Sequence, residues 1–324
     1  MCLRTSAHPV HRLIRRPLAA LLTAPLPVAA LAADRPVELR FVGEFAGAPF
    51  DCAATYDGVG TGGASVAVTD YRLFVSNVAL VRADDTEVPV ALEQDDLWQS
   101  GGVALLDFED GAGRCDNGTP ETNAVVRGAA PEGDYAGVAF DLGVPFELNH
   151  GDPTLQGSPL NLTAMFWNWR GGYRFLKLDT VPAMGTSPGN DGVHGGATGK
   201  GAAHGGDGHG GPVGAWMLHV GSAGCASASR TSPPVSAEDC ARPNRPRVTL
   251  DGFDAATDAV AVDAAAALAG SDLTTNAPDT APGCMSGPDD PDCASVMPLM
   301  GIEWQGAEGA APGQRLFAVR RDAP

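Results

Sequence analysis

Apolar residues recur at every second position through most of this chain, and that period limits what it can fold into. In "VELRFVGEF" the side chains of Val37, Leu39 and Phe41 alternate with Glu38 and Arg40. Alternation puts one set of side chains on one face of an extended strand and the other set on the opposite face. The pattern continues through "VAVTDYRLFVSNVALVRAD" (66–84), which reads as one long strand or as a strand pair with a bend. It recurs in "VALLDFED" (103–110), "YAGVAFDLGV" (135–144), "YRFLKLDTV" (173–181), "GAWMLHVGS" (214–222) and "RPRVTLDGF" (245–253). Each segment is short, rich in Val, Phe, Tyr or Leu, and bounded by Gly, Pro, Asn or Asp. Many short strands separated by turn signals suggest a sandwich or a barrel. We expect an all-β, β-sandwich-like single domain with long loops. The one helix-like stretch is "TDAVAVDAAAALAGS" (257–271), whose first half reads equally well as a strand. Residues 117–124 and 271–292 read as loops.

Residues 1–33 stand apart. They carry Arg4, Arg12, Arg15 and Arg16 and no acid, followed by "PLAALLTAPLPVAALAA" ending in Ala30-Leu31-Ala32. This order is that of a secretory signal peptide. The apolar run is too short and too interrupted by proline to span a bilayer comfortably. The expectation is a chain processed to 34–324, periplasmic or secreted, with no transmembrane anchor after cleavage. The whole sequence has 21 basic and 39 acidic residues. Without the four leader arginines, 17 basic residues face 39 acidic ones, a net charge of −22. A field of that sign argues against nucleic acid and anionic membranes as partners.

Cys2 leaves with the leader, and Cys52, Cys115, Cys225, Cys240, Cys284 and Cys293 remain. An even number in an exported chain reads as three disulfides. Six cysteines allow about 15 pairings, and sequential pairing (52–115, 225–240, 284–293) is the expectation. A thiolate metal site is disfavoured because no C-x-x-C spacing occurs.

Residues 184–214 hold 13 glycines and three histidines, His194, His204 and His209. Such a Gly/His-rich segment cannot bury a core and reads as a flexible loop. Glycine leaves any ligands there unpositioned, and ordering them costs entropy. Outside it, the processed chain has only two histidines, His150 in "LNH" and His219 in "LHVG". Between these two lies "MFWNWRGGYRFLKLD" (165–179), with Trp167 and Trp169 one residue apart. If 165–169 is extended, Met165, Trp167 and Trp169 share a face. A Trp side chain is an N–H donor without a lone pair for a metal, so the plain reading is an inward aromatic ladder.

The wider pattern resembles the MbnP-like family, copper-binding extracytoplasmic proteins of methanobactin operons and other copper-related operons. The resemblance spans nearly the whole processed chain. It rests on "VELRFVGEFAGAPFDC" (37–52), "TDYRLFVSNVAL" (69–80), "VALLDFEDGAGRC" (103–115), "GVAFDLGVPFELNH" (137–150), "SPLNLTAMFWNWRGGYRFLKLD" (158–179), "WMLHVGSAGC" (216–225), "RPNRPRVTLDGF" (242–253) and "GCMSGPDDPDC" (283–293). The combination of W-x-W-x-x-G-Y with an upstream LNH and a downstream H-x-G-x-x-x-C is specific. The Gly/His segment is the main departure.

The resemblance implies that the first Trp of W-x-W, here Trp167, is oxidised to kynurenine by a MauG-like di-haem partner related to cytochrome c peroxidases. Opening the indole five-membered ring yields an aryl amine and a ketone, both with lone pairs. His150 and His219 supply imidazoles, which suit copper. A low-coordinate set of this kind fits Cu(I). Met165 and Met217 are soft sulfur donors of second rank. On this reading the chain is a copper-homeostasis protein, not an enzyme but the substrate of one. A different class is a non-metal β-sandwich module that binds carbohydrate or protein through Trp98, Trp167 and Trp169. A copper oxidoreductase ranks last, since no second metal cluster or acid–base pair stands out. No Ser/His/Asp or phosphate-binding motif stands out either.

Overall fold

The structure is a computed structural model that describes residues 33–115, 118–183, 214–229, 231–304 and 313–321. The leader (1–32) and the Gly/His segment (184–213) lie outside the described residues.

The described strands fall mainly into two sheets. In the first, the order is Phe317–Arg320, Ala259–Asp263, Asp34–Phe45, Val125–Pro131 and Ala91–Leu92. The Asp34–Phe45 strand behaves as its alternation requires: Val37, Leu39 and Phe41 are buried, Glu38 is exposed and Arg40 is half-buried. The second sheet runs Arg247–Asp251, Gly137–Leu142, Ala64–Val81, Leu176–Pro182, Trp216–Val220 and Gly283–Cys284. Its hub is Ala64–Val81, which also pairs with Val103–Asp107, Tyr56–Val59 and Glu87–Pro89. This hub is one strand with an irregularity. Asn77 adopts a left-handed φ of 49°, and the register with Gly137–Leu142 shifts between Ala139 and Asp141.

The two sheets pack through aromatic edges. Phe140 of the second sheet meets Phe41 and Phe317 of the first, with centroids 5.6 and 5.0 Å apart. The Tyr71 hydroxyl donates to the Val262 carbonyl across the interface at 2.6 Å. Offset and edge-on ring pairs add about 0.5–1.5 kcal/mol each beyond area burial. The fold is all-β and sandwich-like.

The stretch 257–271 splits as its composition allows. Val260 and Val262 lie in the strand Ala259–Asp263, and the alanine run forms the helix Ala264–Leu268. Asp263 makes the break by accepting from the Ala265 and Ala266 amides, the usual task of an N-cap carboxylate.

All six cysteines pair sequentially: Cys52–Cys115, Cys225–Cys240 and Cys284–Cys293. Their sequence separations are 63, 15 and 9 residues. Loop-closure entropy then gives about 4.3, 3.0 and 2.6 kcal/mol. Cys225 and Cys240 face each other on the paired strands Ala223–Cys225 and Cys240–Arg242. The shortest loop holds Gly283–Cys284 at the edge of the second sheet, next to the strand that carries His219.

Candidate metal centre

The W-x-W segment is a compact hairpin, and this corrects the expected extended ladder. A 3-10 turn, Thr163–Met165, precedes the short strand Phe166–Asn168, which pairs with Gly172–Tyr173. Met165 ends the turn fully buried in the core, while Trp167 and Trp169 are half-buried. The turn forms because the Asn168 carboxamide oxygen accepts from the amides of Arg170 and Gly171, each at 3.0 Å. Gly172 has a left-handed φ of 73°, and a Cβ there would strike Asn149.

The "LNH" motif anchors this hairpin. Asn149 Oδ1 accepts from the Tyr173 amide at 2.8 Å. Its Nδ2 donates to His150 Nε2 (3.1 Å) and to Ser222 Oγ (3.2 Å). The other His150 nitrogen, Nδ1, donates to the Trp169 carbonyl at 3.2 Å. These partners set the tautomer, and both ring nitrogens are engaged. Burial lowers the His150 pKa, so the ring is neutral at pH 7. Cys240 Sγ lies 3.8 Å from His150 Nε2. The ligand atoms of His150, Cys225 and Cys240 lie within 4.8 Å of one another. Both sulfurs are spent in the disulfide, so this cluster lacks the thiolates that a metal takes.

His219 has a different setting, on the strand Trp216–Val220 and facing Trp167. The two ring centroids are 6.3 Å apart. His219 Nε2 donates to Asp179 Oδ1 at 2.6 Å, which leaves the ring lone pair on Nδ1, the atom that could hold a metal. Nδ1 currently accepts from Arg174 Nε at 3.3 Å. Burial lowers the His219 pKa against the opposing pull of Asp179. Burial also pushes the Asp179 carboxyl up, but the hydrogen bond from His219 and the Lys177 ammonium outweigh it and hold it at about 2.

Behind His219 runs a charged row across the second sheet. Register places Asp107 opposite Arg72, Arg72 opposite Lys177 and Lys177 opposite His219. Lys177 bonds Asp70 and Asp179, Arg72 bonds Asp70, and Arg72 reaches Glu109 at 3.3 Å. Asp107 and Glu109 are raised to about 7 by burial, against the pull of Arg72.

In front of Trp167 lies a cleft of about 460 Å³. Its wall includes Trp167, Gly171, Ser222, Cys225, Met285 and Ser286. Ser286 Oγ accepts from the Gly221 amide (3.1 Å) and donates to the His219 carbonyl (2.9 Å). Gly283–Cys284 pairs in parallel with Met217–Leu218, and Met285 follows directly, in the wall of the cleft with Trp167. Met285 is a residue that sequence reasoning passed over. Its signal was a thioether directly after a cysteine in "GCMSG", where a nine-residue disulfide loop fixes the backbone.

The structure therefore joins Trp167, His219 and Arg174 at one place, and Met285 lines the cleft in front of Trp167. It seats His150 against Trp169, Asn149 and the Cys225–Cys240 bridge. Met217 lies opposite Asp179 on the face of His219, and Met165 belongs to the core. The histidines of the Gly/His segment lie outside the described residues.

The family model for MbnP matches residues 34–286. Among solved structures, MbnP from Methylosinus trichosporium matches with a TM-score of 0.70 and 31% sequence identity. The match covers 90% of this chain and 100% of that one. No curated protein sequence matches.

Proposed function

Since the chain belongs to the MbnP family, we propose that it is an exported copper-homeostasis protein whose site is completed by oxidation of Trp167. The observation that carries this reading is the apposition of the Trp167 indole and the buried imidazole of His219, with the Met285 thioether in the wall of the cleft that Trp167 lines. His219 Nδ1 and Met285 Sγ are borderline and soft donors, and that donor set fits Cu(I). Copper bound here would be cargo, held for storage or transfer.

Trp167 is placed for modification without loss of position. Its six-membered ring rests on Gly221 and Gly171. Oxidative cleavage breaks the C2–C3 bond, turns C3 into a ketone, frees the aryl amine and releases C2 as formate, a four-electron oxidation in which three water oxygens are incorporated. The six-membered ring survives that cleavage and stays seated. The oxidising equivalents come from a MauG-like di-haem partner. The protein is then the substrate of that enzyme and not itself a catalyst.

His150 holds the hairpin that carries Trp167, and it acts on the site through Asn149 and the Trp169 carbonyl. The rival reading, an aromatic platform for carbohydrate, fits less well. One face of Trp167 is covered by Arg174 (5.4 Å to the ring centroid), and its edge is packed on Gly221.

Tandem mass spectrometry of the peptide spanning 165–175, from protein co-expressed with the partner, tests the modification. Trp167 should lose one carbon and gain one oxygen, with Trp169 intact. Cu(I) titration of His219→Ala should show loss of tight binding. Unmodified Trp167 in copper-loaded protein, or full binding by the His219 variant, would refute the proposal.

A further inference from the structure

Arg174 stands between the tryptophan and the histidine of this site, and nothing in the proposed copper chemistry uses it. Its Nε donates to His219 Nδ1 at 3.3 Å. Its guanidinium carbon lies 5.4 Å from the Trp167 ring centroid. Its Nη1 bonds the carbonyls of Ala164 (3.0 Å) and Phe166 (3.1 Å) in the segment leading into Trp167. The Arg174 amide bonds the Met165 carbonyl at 2.7 Å. The side chain is thus tied both to the tryptophan segment and to the imidazole.

The nitrogen that Arg174 occupies is the one a metal needs. Asp179 takes the proton-bearing Nε2, so Nδ1 carries the only ring lone pair of His219. A guanidinium has five N–H donors and no acceptor, and its positive charge repels an incoming cation. We infer that Arg174 is a gate: while Trp167 is an intact indole, Arg174 caps His219 Nδ1 and keeps the site closed to copper, and conversion of Trp167 to kynurenine draws it away. The inference rests on the proposed modification of Trp167.

Two features make the gate responsive. The face of an indole is electron-rich and attracts a cation through its quadrupole. An aryl ring bearing an acyl group is poorer in electrons and holds a cation less well. The ketone that forms is a new acceptor beside the guanidinium and competes for its N–H groups. The benzo edge stays fixed, because a Cβ on Gly221 would already lie 2.5 Å from Trp167 Cζ3. The change is therefore confined to the pyrrole half and to the partners of Arg174.

The test is a two-by-two cycle of Trp167 or kynurenine with Arg174 or Arg174→Gln, read as Cu(I) affinity against a chromophoric Cu(I) chelator. The modified wild-type protein with His219 intact is the reference. If it fails to bind copper, the proposed site itself is wrong. If it binds, the gate predicts that Arg174→Gln tightens Cu(I) binding of the unmodified protein by about tenfold or more. The same change should alter the modified protein by less than about threefold. An equal change in both forms would reduce Arg174 to a general repulsive charge, and a loss in both would make it a strut. Either result overturns the gate.

An independent readout needs no variant and no copper. In ¹⁵N spectra of apoprotein, the Arg174 Nε–H and His219 Nδ1 resonances should report their hydrogen bond in the unmodified form and its loss in the kynurenine form. Persistence of that bond after modification also overturns the gate.

Discussion

Replacing Gly221 by alanine tests the apposition on which the site depends. Gly221 is not among the glycines with positive φ, so alanine brings no backbone strain and only space is at issue. The added Cβ would lie 2.5 Å from Trp167 Cζ3 and 2.7 Å from the Tyr173 carbonyl oxygen. Ordinary contact begins at 3.4 Å, so the indole must retreat by about 0.9 Å. The Tyr173 backbone has little room to yield, since its amide is held by Asn149 Oδ1 at 2.8 Å. Overpacking of this kind costs about 1–3 kcal/mol. With a middle value of about 2 kcal/mol, the thermal midpoint falls by roughly 3–6 °C for a domain of this size. The displaced ring also leaves its place beside His219 and beneath Arg174. Near-ultraviolet circular dichroism and Trp fluorescence should therefore change, and the yield of kynurenine with the partner should drop. Gly157→Ala is the control, because a Cβ there meets nothing within 4 Å. A Gly221→Ala protein within about 0.5 kcal/mol of wild type in urea denaturation, with unchanged spectra and modification yield, would refute the argued packing.

Three further outcomes are expected. Asp179→Asn removes the anion that holds the proton on His219 Nε2, and a rotated amide would donate there instead and move the proton to Nδ1. Cu(I) affinity of the modified protein should fall about 10–100-fold, and unchanged affinity would count against Nδ1 as the ligand atom. His150→Ala strips the Trp169 carbonyl and the Asn149 amide of buried partners, and urea denaturation should show a loss of about 1–3 kcal/mol even without copper. Glu109 is raised to about 7 in the fold from its ordinary value of 4.5, so the folded state binds the extra proton between those values. Stability must then decline as pH rises from about 4.5 through 7, and Glu109→Gln should flatten that decline by about 1–3 kcal/mol between pH 5 and pH 8. An unchanged slope would show that Glu109 is ionised throughout.

Much of this protein is legible in local sequence, because local sequence controls local geometry. The alternation of Val37, Leu39 and Phe41 specified a strand and its buried face. Asp263 ahead of an alanine run marked a strand that gives way to a helix. Six cysteines in order closed three sequential loops. The pairing of the LNH and W-x-W motifs also stood out, since both are unusual clusters in a histidine-poor chain.

Other features depended on strands meeting across long separations. The segment 165–169 reads as extended, yet Asn168 turns it into a hairpin and Asn149, from another part of the chain, clamps it. The two histidines look equivalent in sequence. Tertiary contacts distinguish them: Trp169 and Asn149 occupy both nitrogens of His150, whereas Asp179 sets one nitrogen of His219 and Arg174 covers the other. Met285 is 66 residues from His219 in sequence, and the parallel pairing of Gly283–Cys284 with Met217–Leu218 is what brings its segment to the strand that carries His219. Backbone periodicity tells each strand which face to bury, but ligand atoms converge through strand register and side-chain hydrogen bonds, and both are properties of the assembled sheets.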